Sequence, residues 1–294
     1  MKKTIILLSV SIFLICGFTS SEDPKDAVKQ YTLGVMHYKK QNYKKAFEWY
    51  SKAAEQDYAD AQSSLGFMYN NGQGVGQDYK KAFEWSSKAA EQGNAAGQTN
   101  LGLMYAKGQG VEQDYKKAFE WISKAAEQGY VNAQNSLGVM YESGKGIEQD
   151  YKKAFEWYSK AAKQGYSYAQ SNLGAMYSEG HGVARNYEKA FEWYSKSAKQ
   201  RLDSAQFNIG LMYAKGHGVA QDYKKAVEWW SKAAEQGYAR AQYNLGVMYK
   251  RGQGIEQDYK KAFEWYSKAA EQDEKYEAAK KELEQELAEL NNKK

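Results

Sequence analysis

The side chains best suited to chemistry in this sequence are its three histidines, and two of them share an equivalent position. His181 and His217 occupy the same slot of two successive loops, whereas His37 lies far away along the chain. Two imidazoles on neighbouring loops suggest a metal site, but zinc sites use three or four ligands. No cysteine and no cluster of acidic residues accompanies the pair in its motif. We therefore predict no metal site.

Catalytic motifs are also missing from the sequence. A serine followed three residues later by lysine, the signature of penicillin-recognising enzymes, occurs nowhere, and two of the three histidines lie in turns rather than beside a nucleophile. The Gly-x-Gly loops resemble phosphate-binding loops only superficially, because no strand precedes them and no Gly-Lys-Ser/Thr follows. We predict that the chain is not an enzyme and that it binds no cofactor.

The dominant feature is an internal repeat, and it determines which elements carry these side chains. A block similar to DYKKAFEWYSKAAEQG returns every 36 residues without a change of register. Its first tyrosine falls at Tyr43, Tyr79, Tyr115, Tyr151, Tyr187, Tyr223 and Tyr259. A fixed period of this length is typical of stacked supersecondary units that bury one another's apolar faces. The sequence predicts a single elongated all-α solenoid, an α-α superhelix of helix-turn-helix repeats.

Each period contains the signals of two helices. Asp78 is a predicted N-cap, Glu84 and Lys88 form a predicted surface ion pair, and Gly93 marks the end of that helix. Arg201 replaces this glycine in one unit, which predicts a less regular turn. The partner helix carries Gly66 and its equivalents in every unit, although glycine costs about 1 kcal/mol inside a helix. We predict that another helix approaches too closely there for a side chain.

The pattern LGxxYxxGxGVxxDYxKAxxWYxKAAxxG resembles the Sel-1-like repeat, a relative of the tetratricopeptide repeat. Six full copies cover residues 58–273. The preceding unit, residues 22–57, is more similar to a tetratricopeptide repeat because its two helix motifs are closer together, and Asp23 is its predicted N-cap with Pro24 in the first turn. Residues 274–294 are a predicted capping helix with a thin apolar stripe of Ala279, Leu283, Leu287 and Leu290. The resemblance implies a protein-binding scaffold whose first helices line a concave face.

Several residues on that predicted face are candidates for binding a protein or peptide. The position before the repeated leucine holds Asn100, Asn172, Asn208 and Asn244, and an amide offers both donors and an acceptor to a peptide backbone. The preceding position varies most, and its Phe207 and Tyr243 are candidates for an exposed aromatic anchor. Arg240 is the one cation in the slot a turn before the asparagines. An alternative stays open for each position. The asparagines only bond neighbouring helices or water, and the variable position has changed under weak constraint, without a role in binding.

The N-terminus has the layout of a secretory signal peptide over residues 1–21. Lys2 and Lys3 precede an apolar run from Ile5 to Phe18, and this run is short for a membrane span. A retained anchor or a lipid-modified Cys16 are the alternatives. Loss of both lysines would lower the net charge from +5 to +3. Because charges of both signs alternate along the chain, no basic stripe forms and nucleic acid is not a predicted partner.

These observations predict an exported repeat scaffold, periplasmic or secreted, that holds another protein on its concave face as an adaptor or host-interaction factor. The alternatives are a periplasmic envelope-assembly scaffold and a β-lactamase-like hydrolase. After signal cleavage no membrane association is expected.

Overall fold

The computed structural model describes residues 26–292, apart from the side chains of residues 290–292. All regular structure in this range is helical. The helices are α1 Ala27–Lys39, α2 Tyr43–Ala54, α3 Ala59–Asn71, α4 Tyr79–Glu91, α5 Ala95–Lys107, α6 Tyr115–Glu127, α7 Val131–Ser143, α8 Tyr151–Lys163, α9 Ser167–Glu179, α10 Tyr187–Lys199, α11 Asp203–Lys215, α12 Tyr223–Glu235, α13 Ala239–Arg251, α14 Tyr259–Gln272 and α15 Glu277–Asn292, with one 3₁₀ turn at Glu274–Tyr276. The predicted all-α solenoid is confirmed.

Helices α1 to α14 form seven antiparallel pairs, which we call repeats 1 to 7. The odd-numbered member of each pair packs against its even-numbered partner and against the even-numbered helix of the preceding repeat. In addition α3 contacts α5 and α5 contacts α7, whereas no two successive even-numbered helices of the described chain make comparable contact. The odd-numbered helices therefore lie on the inside of the curve, and we call them inner helices. The even-numbered ones are the outer helices.

Side-chain caps fix where the outer helices begin. Asp78 Oδ1 accepts hydrogen bonds from the backbone N–H groups of Lys80 and Lys81, both at 3.0 Å. This satisfies amides that have no partner within the helix. The predicted cap is thus confirmed. The chain enters α1 differently from the expectation, because Asp26 caps that helix, and Asp23 and Pro24 lie outside the described residues.

The glycine in each inner helix marks its closest approach to the outer helix of the same repeat. A Cβ atom on Gly138 would lie 2.6 Å from Tyr158 Cδ1, and one on Gly210 would lie 2.5 Å from Trp230 Cδ1. These distances are well inside van der Waals contact, so any side chain would force the two helices apart. The same relationship holds for Gly34, Gly66, Gly102, Gly174 and Gly246. The prediction of packing glycines is confirmed.

Buried glutamines join each repeat to the one before it. Gln62 Nε2 donates to the carbonyl of Ala54 at 3.3 Å, while Gln62 Oε1 accepts from Gln92 Nε2 at 2.7 Å. One amide therefore links the outer helices of repeats 1 and 2 through α3. Equivalent links are made by Gln98, Gln134, Gln170, Gln206 and Gln242.

Two local details differ from the sequence-based expectation. Lys88 Nζ lies 4.3 Å from the centroid of the Trp85 ring, an arrangement found in all seven outer helices, and Glu84 forms no ion pair with it in the described chain. The indole face attracts the ammonium group, so it replaces the predicted partner. Arg201 adopts φ +66° and keeps the hydrogen bond from its N–H to the carbonyl three positions earlier, as Gly93 does. The predicted irregularity of that turn is limited to one bond: the Leu202 N–H does not make the hydrogen bond that the equivalent Asn94 N–H makes to the Ala89 carbonyl.

The two ends of the array differ from its middle. The connection between α1 and α2 is shorter than the loop from residue 72 to residue 78 in repeat 2. At the other end Ala279, Leu283 and Leu287 of α15 pack against repeat 7, and Leu283 is fully buried. Lys250 of α13 bonds Glu282 and Glu286 of α15 at 3.2 and 2.7 Å. Helix α15 therefore covers the last repeat.

Candidate protein-binding groove

The inner helices expose a row of apolar side chains at the position after the packing glycine. This row consists of Phe67, Leu103, Val139, Ala175, Leu211 and Val247. Phe67 and Val139 are the most exposed, at 42% and 43% of their surface. The other four are partly buried against the core. Exposed apolar side chains such as Phe67 and Val139 are a feature of surfaces that bind other proteins.

The four predicted asparagines lie on the same inner surface and are all half-buried. Asn100 Nδ2 donates to the Ser63 carbonyl at 3.4 Å, and Asn172 Nδ2 donates to Asn135 Oδ1 at 3.1 Å. Both bonds cross to the inner helix of the preceding repeat. For these two residues the alternative of bonding a neighbouring helix is therefore the one observed.

Asn208 and Asn244 differ from the other two. Neither side chain makes a hydrogen bond to any part of the chain between residues 26 and 292, and both remain partly exposed. Their amide groups are therefore available to a ligand.

The structure does not form the exposed aromatic anchor expected from Phe207 and Tyr243. Phe207 is only 4% exposed, and its ring packs against Trp230 and Tyr238 with Arg240 Cζ 4.8 Å from its centroid. Tyr243 is half-buried and stacks on Tyr276 at 5.1 Å. These positions face the outer helix of their own repeat, so the expectation of an exposed anchor at Phe207 was wrong.

A groove lies on the inner surface where repeats 1 to 4 meet, with a volume of about 360 Å³. It is lined by Tyr38, Tyr50, Ser63, Ser64, Phe67, Ala96, Asn100, Tyr130 and Asn132. Sequence reasoning found only Asn100 among these residues. None of the lining side chains carries a charge at neutral pH. The groove thus offers aromatic rings and neutral hydrogen-bonding groups to a ligand.

Two tyrosines of the groove, Tyr38 and Tyr50, have a raised pKa in the folded protein. Burial is the main reason why the pKa of Tyr50 is raised, and the neighbouring Tyr31 and Tyr38 add to it, while a hydrogen bond with Ser64 acts in the opposite direction. Burial likewise raises the pKa of Tyr38, whose hydroxyl donates to Gln73 Oε1 at 2.9 Å. Both side chains therefore remain neutral at any physiological pH.

A second depression of about 600 Å³ lies on the outer side, around Trp229. Long charged side chains dominate it, among them Lys199, Arg201, Lys232 and Glu235. Such side chains lose much conformational entropy when a ligand fixes them. The inner groove, with its short and aromatic lining, is the better prepared of the two sites.

The histidines do not converge on a common centre. His181 stacks on Tyr151 with ring centroids 4.5 Å apart, and His217 stacks on Tyr187 at 4.3 Å. Between residues 26 and 292 no three side chains of His, Cys, Asp or Glu come together as metal ligands. None of the helices in this range has the length and apolar character required to cross a bilayer.

Comparison with protein families identifies the repeat. The model of the Sel1 repeat matches seven consecutive segments, at residues 30–58, 59–94, 95–130, 131–166, 167–202, 203–238 and 239–274. The first match is shorter than the others, in line with the shorter connection between α1 and α2. A search of curated proteins finds no match.

Solved structures of similar proteins share the fold. A Sel1 repeat protein from Oxalobacter formigenes is 33% identical, with 84% of this chain and 97% of that chain covered and a TM-score of 0.75. The protein c5321, a protective antigen present in uropathogenic Escherichia coli strains, is 37% identical with a TM-score of 0.61. That match covers 87% of this chain but only 64% of the antigen. Yeast Tom70, at 14% identity and a TM-score of 0.51, with 94% of this chain and 60% of that chain covered, shares the fold alone.

Proposed function

Because this chain belongs to the Sel1 repeat family, whose solenoids are generally protein-interaction scaffolds, we propose that it holds an extended segment of a partner protein against its inner helices. The observation that carries the proposal is the groove over repeats 1 to 4. It lies on the inside of the curve, it is lined by aromatic and neutral polar groups, and it includes Phe67, one of the two exposed members of the apolar row. We propose a scaffold without catalytic activity.

The asparagines extend this surface toward the C-terminal repeats. Asn208 and Asn244 supply unpaired amides to the backbone of the bound segment, whatever its side chains are. Asn100 and Asn172 use one donor each within the scaffold and keep their carbonyl oxygens for the ligand. Tyr243 and Arg240 lie beside the same surface. Their roles are supporting ones, because the Tyr243 ring already packs against Tyr266 and the Arg240 guanidinium against Phe207.

For the cellular setting we propose an exported protein, periplasmic or secreted, that serves as an adaptor or host-interaction factor. Two observations support this. Residues 1–21 have the pattern of a signal peptide, and a relative with 37% identity is a protective antigen in a pathogenic bacterium. A scaffold for envelope assembly in the periplasm is the rival proposal, supported by the same export signal. Fractionation of cells expressing the chain shows whether the protein stays in the periplasm or is secreted. Mass spectrometry of its N-terminus shows whether residues 1–21 have been removed.

Crosslinking of the purified chain in envelope and in host extracts tests the binding proposal. The test variant combines Asn208→Ala with Asn244→Ala, and the matched control combines Glu84→Ala with Glu120→Ala on the exposed outer helices. We expect the partner to be captured by wild type and by the control, and its affinity for the test variant to fall about tenfold, as for the loss of two hydrogen bonds. Equal affinity of all three proteins, with unchanged helicity, would exclude Asn208 and Asn244 from the binding surface and leave the groove over repeats 1 to 4 as its only candidate part.

A further inference from the structure

Two positions that face each other inside every repeat explain where the groove lies. In three repeats both positions are aromatic: Tyr31 packs against Tyr50 at 5.5 Å, Phe207 against Trp230 at 6.4 Å, and Tyr243 against Tyr266 at 5.5 Å between ring centroids. The first residue of each pair belongs to the inner helix and the second to the outer helix. These rings fill the space between the two helices on the side of the inner surface.

Repeat 2 has no ring at either position. Its pair is Ser63 and Ser86, and the next repeat has Thr99 and Ile122. The groove lies over these two repeats: Ser63 forms part of its lining, and Tyr50 of repeat 1 and Tyr130 of repeat 4 are at its borders. Although α3 and α5 are in direct contact beside the serine pair, about 360 Å³ remains open. The groove therefore lies beside the pair of positions at which repeat 2 lacks aromatic rings, and Ser63 is the member of that pair that lines it.

Two buried polar atoms of repeat 2 also lack a partner. Ser86 is fully buried, and neither its Oγ atom nor the buried Oδ1 atom of Asn70 makes a hydrogen bond. In repeat 4 the equivalent pair is Tyr158 and Glu142, and there the phenol hydroxyl donates to the carboxylate at 2.6 Å. In repeat 4 a phenol thus supplies the partner of the residue at this position of the inner helix. Repeat 2 lacks the phenol and retains the acceptor.

From these relationships we propose that the groove over repeats 2 and 3 receives a tyrosine side chain of the partner protein. The volume suits a small ligand group, at the lower end of the range of about 300–1,000 Å³ for binding pockets. The walls are the rings of Tyr38, Tyr50, Phe67 and Tyr130, against which an aromatic side chain gains edge and stacking contacts. The uncharged lining disfavours a charged guest, which would lose its hydration without gaining a counter-ion. The inference deepens the proposed function and depends on it.

Titration of the isotope-labelled chain with N-acetyl-L-tyrosinamide, followed by NMR, tests this site. We expect shift changes confined to Ser63, Ser64, Asn100 and their neighbours, and at least fivefold weaker binding of N-acetyl-L-leucinamide. The blocking variant is Ala96→Tyr, because the same slot carries an exposed tyrosine, Tyr168, in repeat 5. Its matched control is Ser204→Tyr, which adds the same side chain to that slot in repeat 6, outside the groove.

Ala96→Tyr is expected to weaken binding at least fivefold, whereas Ser204→Tyr leaves it unchanged. Ser63→Tyr, which introduces the residue found at this position in repeats 1 and 7, should weaken binding as Ala96→Tyr does. If Ser63→Tyr loses helicity, the result with Ala96→Tyr alone tests the site. Shift changes spread over all repeats, or binding that Ala96→Tyr leaves intact, would overturn the inference. So would a dimer of the chain that Ala96→Tyr dissociates, because the groove would then belong to a second copy.

Failure of this inference and failure of the proposed function have different outcomes. A partner that binds wild type and Ala96→Tyr equally, but is lost with Asn208→Ala and Asn244→Ala together, rejects the tyrosine site and keeps the scaffold.

Discussion

Gln134 and Gln164 are joined side chain to side chain, with Gln164 Nε2 donating to Gln134 Oε1 at 2.7 Å, and Gln134 Nε2 in turn donates to the carbonyl of Ala126 at 3.4 Å. Gln134 is only 6% exposed. Gln134 therefore connects α6, α7 and the C-terminal end of α8 through one buried side chain.

Gln134→Leu keeps the approximate shape of the side chain and removes both bonds. We expect the free energy of unfolding to fall by about 1 kcal/mol, because two hydrogen bonds of a buried side chain are lost, while Gln164 Nε2 keeps its bond to the Gly129 carbonyl and the Ala126 carbonyl keeps the bond from the Gly129 N–H. Urea denaturation followed by circular dichroism measures it. Glu156→Leu at an exposed site of α8 is the control and should change stability by less than about 0.5 kcal/mol. If the two variants were equally stable, the glutamine links would contribute nothing.

Gly138→Ala tests the close approach of α7 and α8. The new methyl group would lie 2.6 Å from Tyr158 Cδ1, and we expect a loss of about 1–3 kcal/mol from overpacking despite the better helix propensity of alanine. Gly76→Ala is matched to it, since no atom lies within 4 Å of that Cβ position and φ there is not positive. A thermal melt of Gly138→Ala at or above the wild-type midpoint would contradict the packing role.

Arg201→Gly is expected to stabilise the protein. Arg201 has φ +66° where the equivalent residues are glycines such as Gly93 and Gly129, and the left-handed conformation costs a residue with a Cβ about 1–2 kcal/mol. The gain should be about 1 kcal/mol, since glycine also loses more entropy on folding. Gly129→Arg, the reverse exchange in repeat 3, should lose a similar amount. Opposite signs in the two denaturation midpoints support the strain argument, and equal signs refute it.

The Asp150 cap makes stability depend on pH. Hydrogen bonds from the backbone N–H groups of Lys153 and Lys152 hold the pKa of Asp150 below its ordinary value of 3.8, the first being the larger effect. The folded state thus binds protons less readily than the unfolded chain, so this contribution is complete above the ordinary value and is lost as the pH falls toward the lowered pKa. Asp222 and Asp258 behave in the same way.

Asp150→Asn removes the titratable carboxylate but keeps a side chain that caps the helix, because asparagine caps helices about as well as aspartate. We expect wild type to lose more thermal stability than this variant between about pH 6 and about pH 3, with similar midpoints at the higher pH. Melts at several pH values in one buffer system measure the difference. Parallel curves would show that the carboxylate has no special role in acid.

The regular parts of the fold could be predicted from the 36-residue period of the sequence. Caps such as Asp78 and packing glycines such as Gly66 are local signals that repeat in register, so one unit predicts the rest. The glutamine links were missed because their two members, as in Gln62 and Gln92, are 30 residues apart, and neither has a recognisable motif. The recurrence of both glutamines in each unit was the available signal.

The candidate site was less predictable because exposure on the inner surface depends on pairs. Phe207 is buried against Trp230, a residue of the facing helix. The pair differs between repeats: it consists of two rings in repeat 6 and of two serines, Ser63 and Ser86, in repeat 2, whereas repeats 4 and 5 combine a polar residue with a tyrosine. When the inner-helix position of Tyr243 is considered alone, its changes between repeats resemble unconstrained variation. Comparing each such residue with the outer-helix residue 23 positions later in the sequence would have indicated which side chains are buried.

The loop between the two helices of each repeat fixes the spacing of the array, because it rests on the outer helix of the preceding repeat. A Cβ on Gly74 would lie 2.3 Å from the carbonyl oxygen of Tyr43, and Gly110, Gly146, Gly182 and Gly218 sit equally close to the first residue of an earlier outer helix. At each of these contacts main chain packs directly against main chain, with no flexible side chain between. The distance between successive repeats is therefore constant along the inner surface, and any molecule that binds along this surface must match that distance.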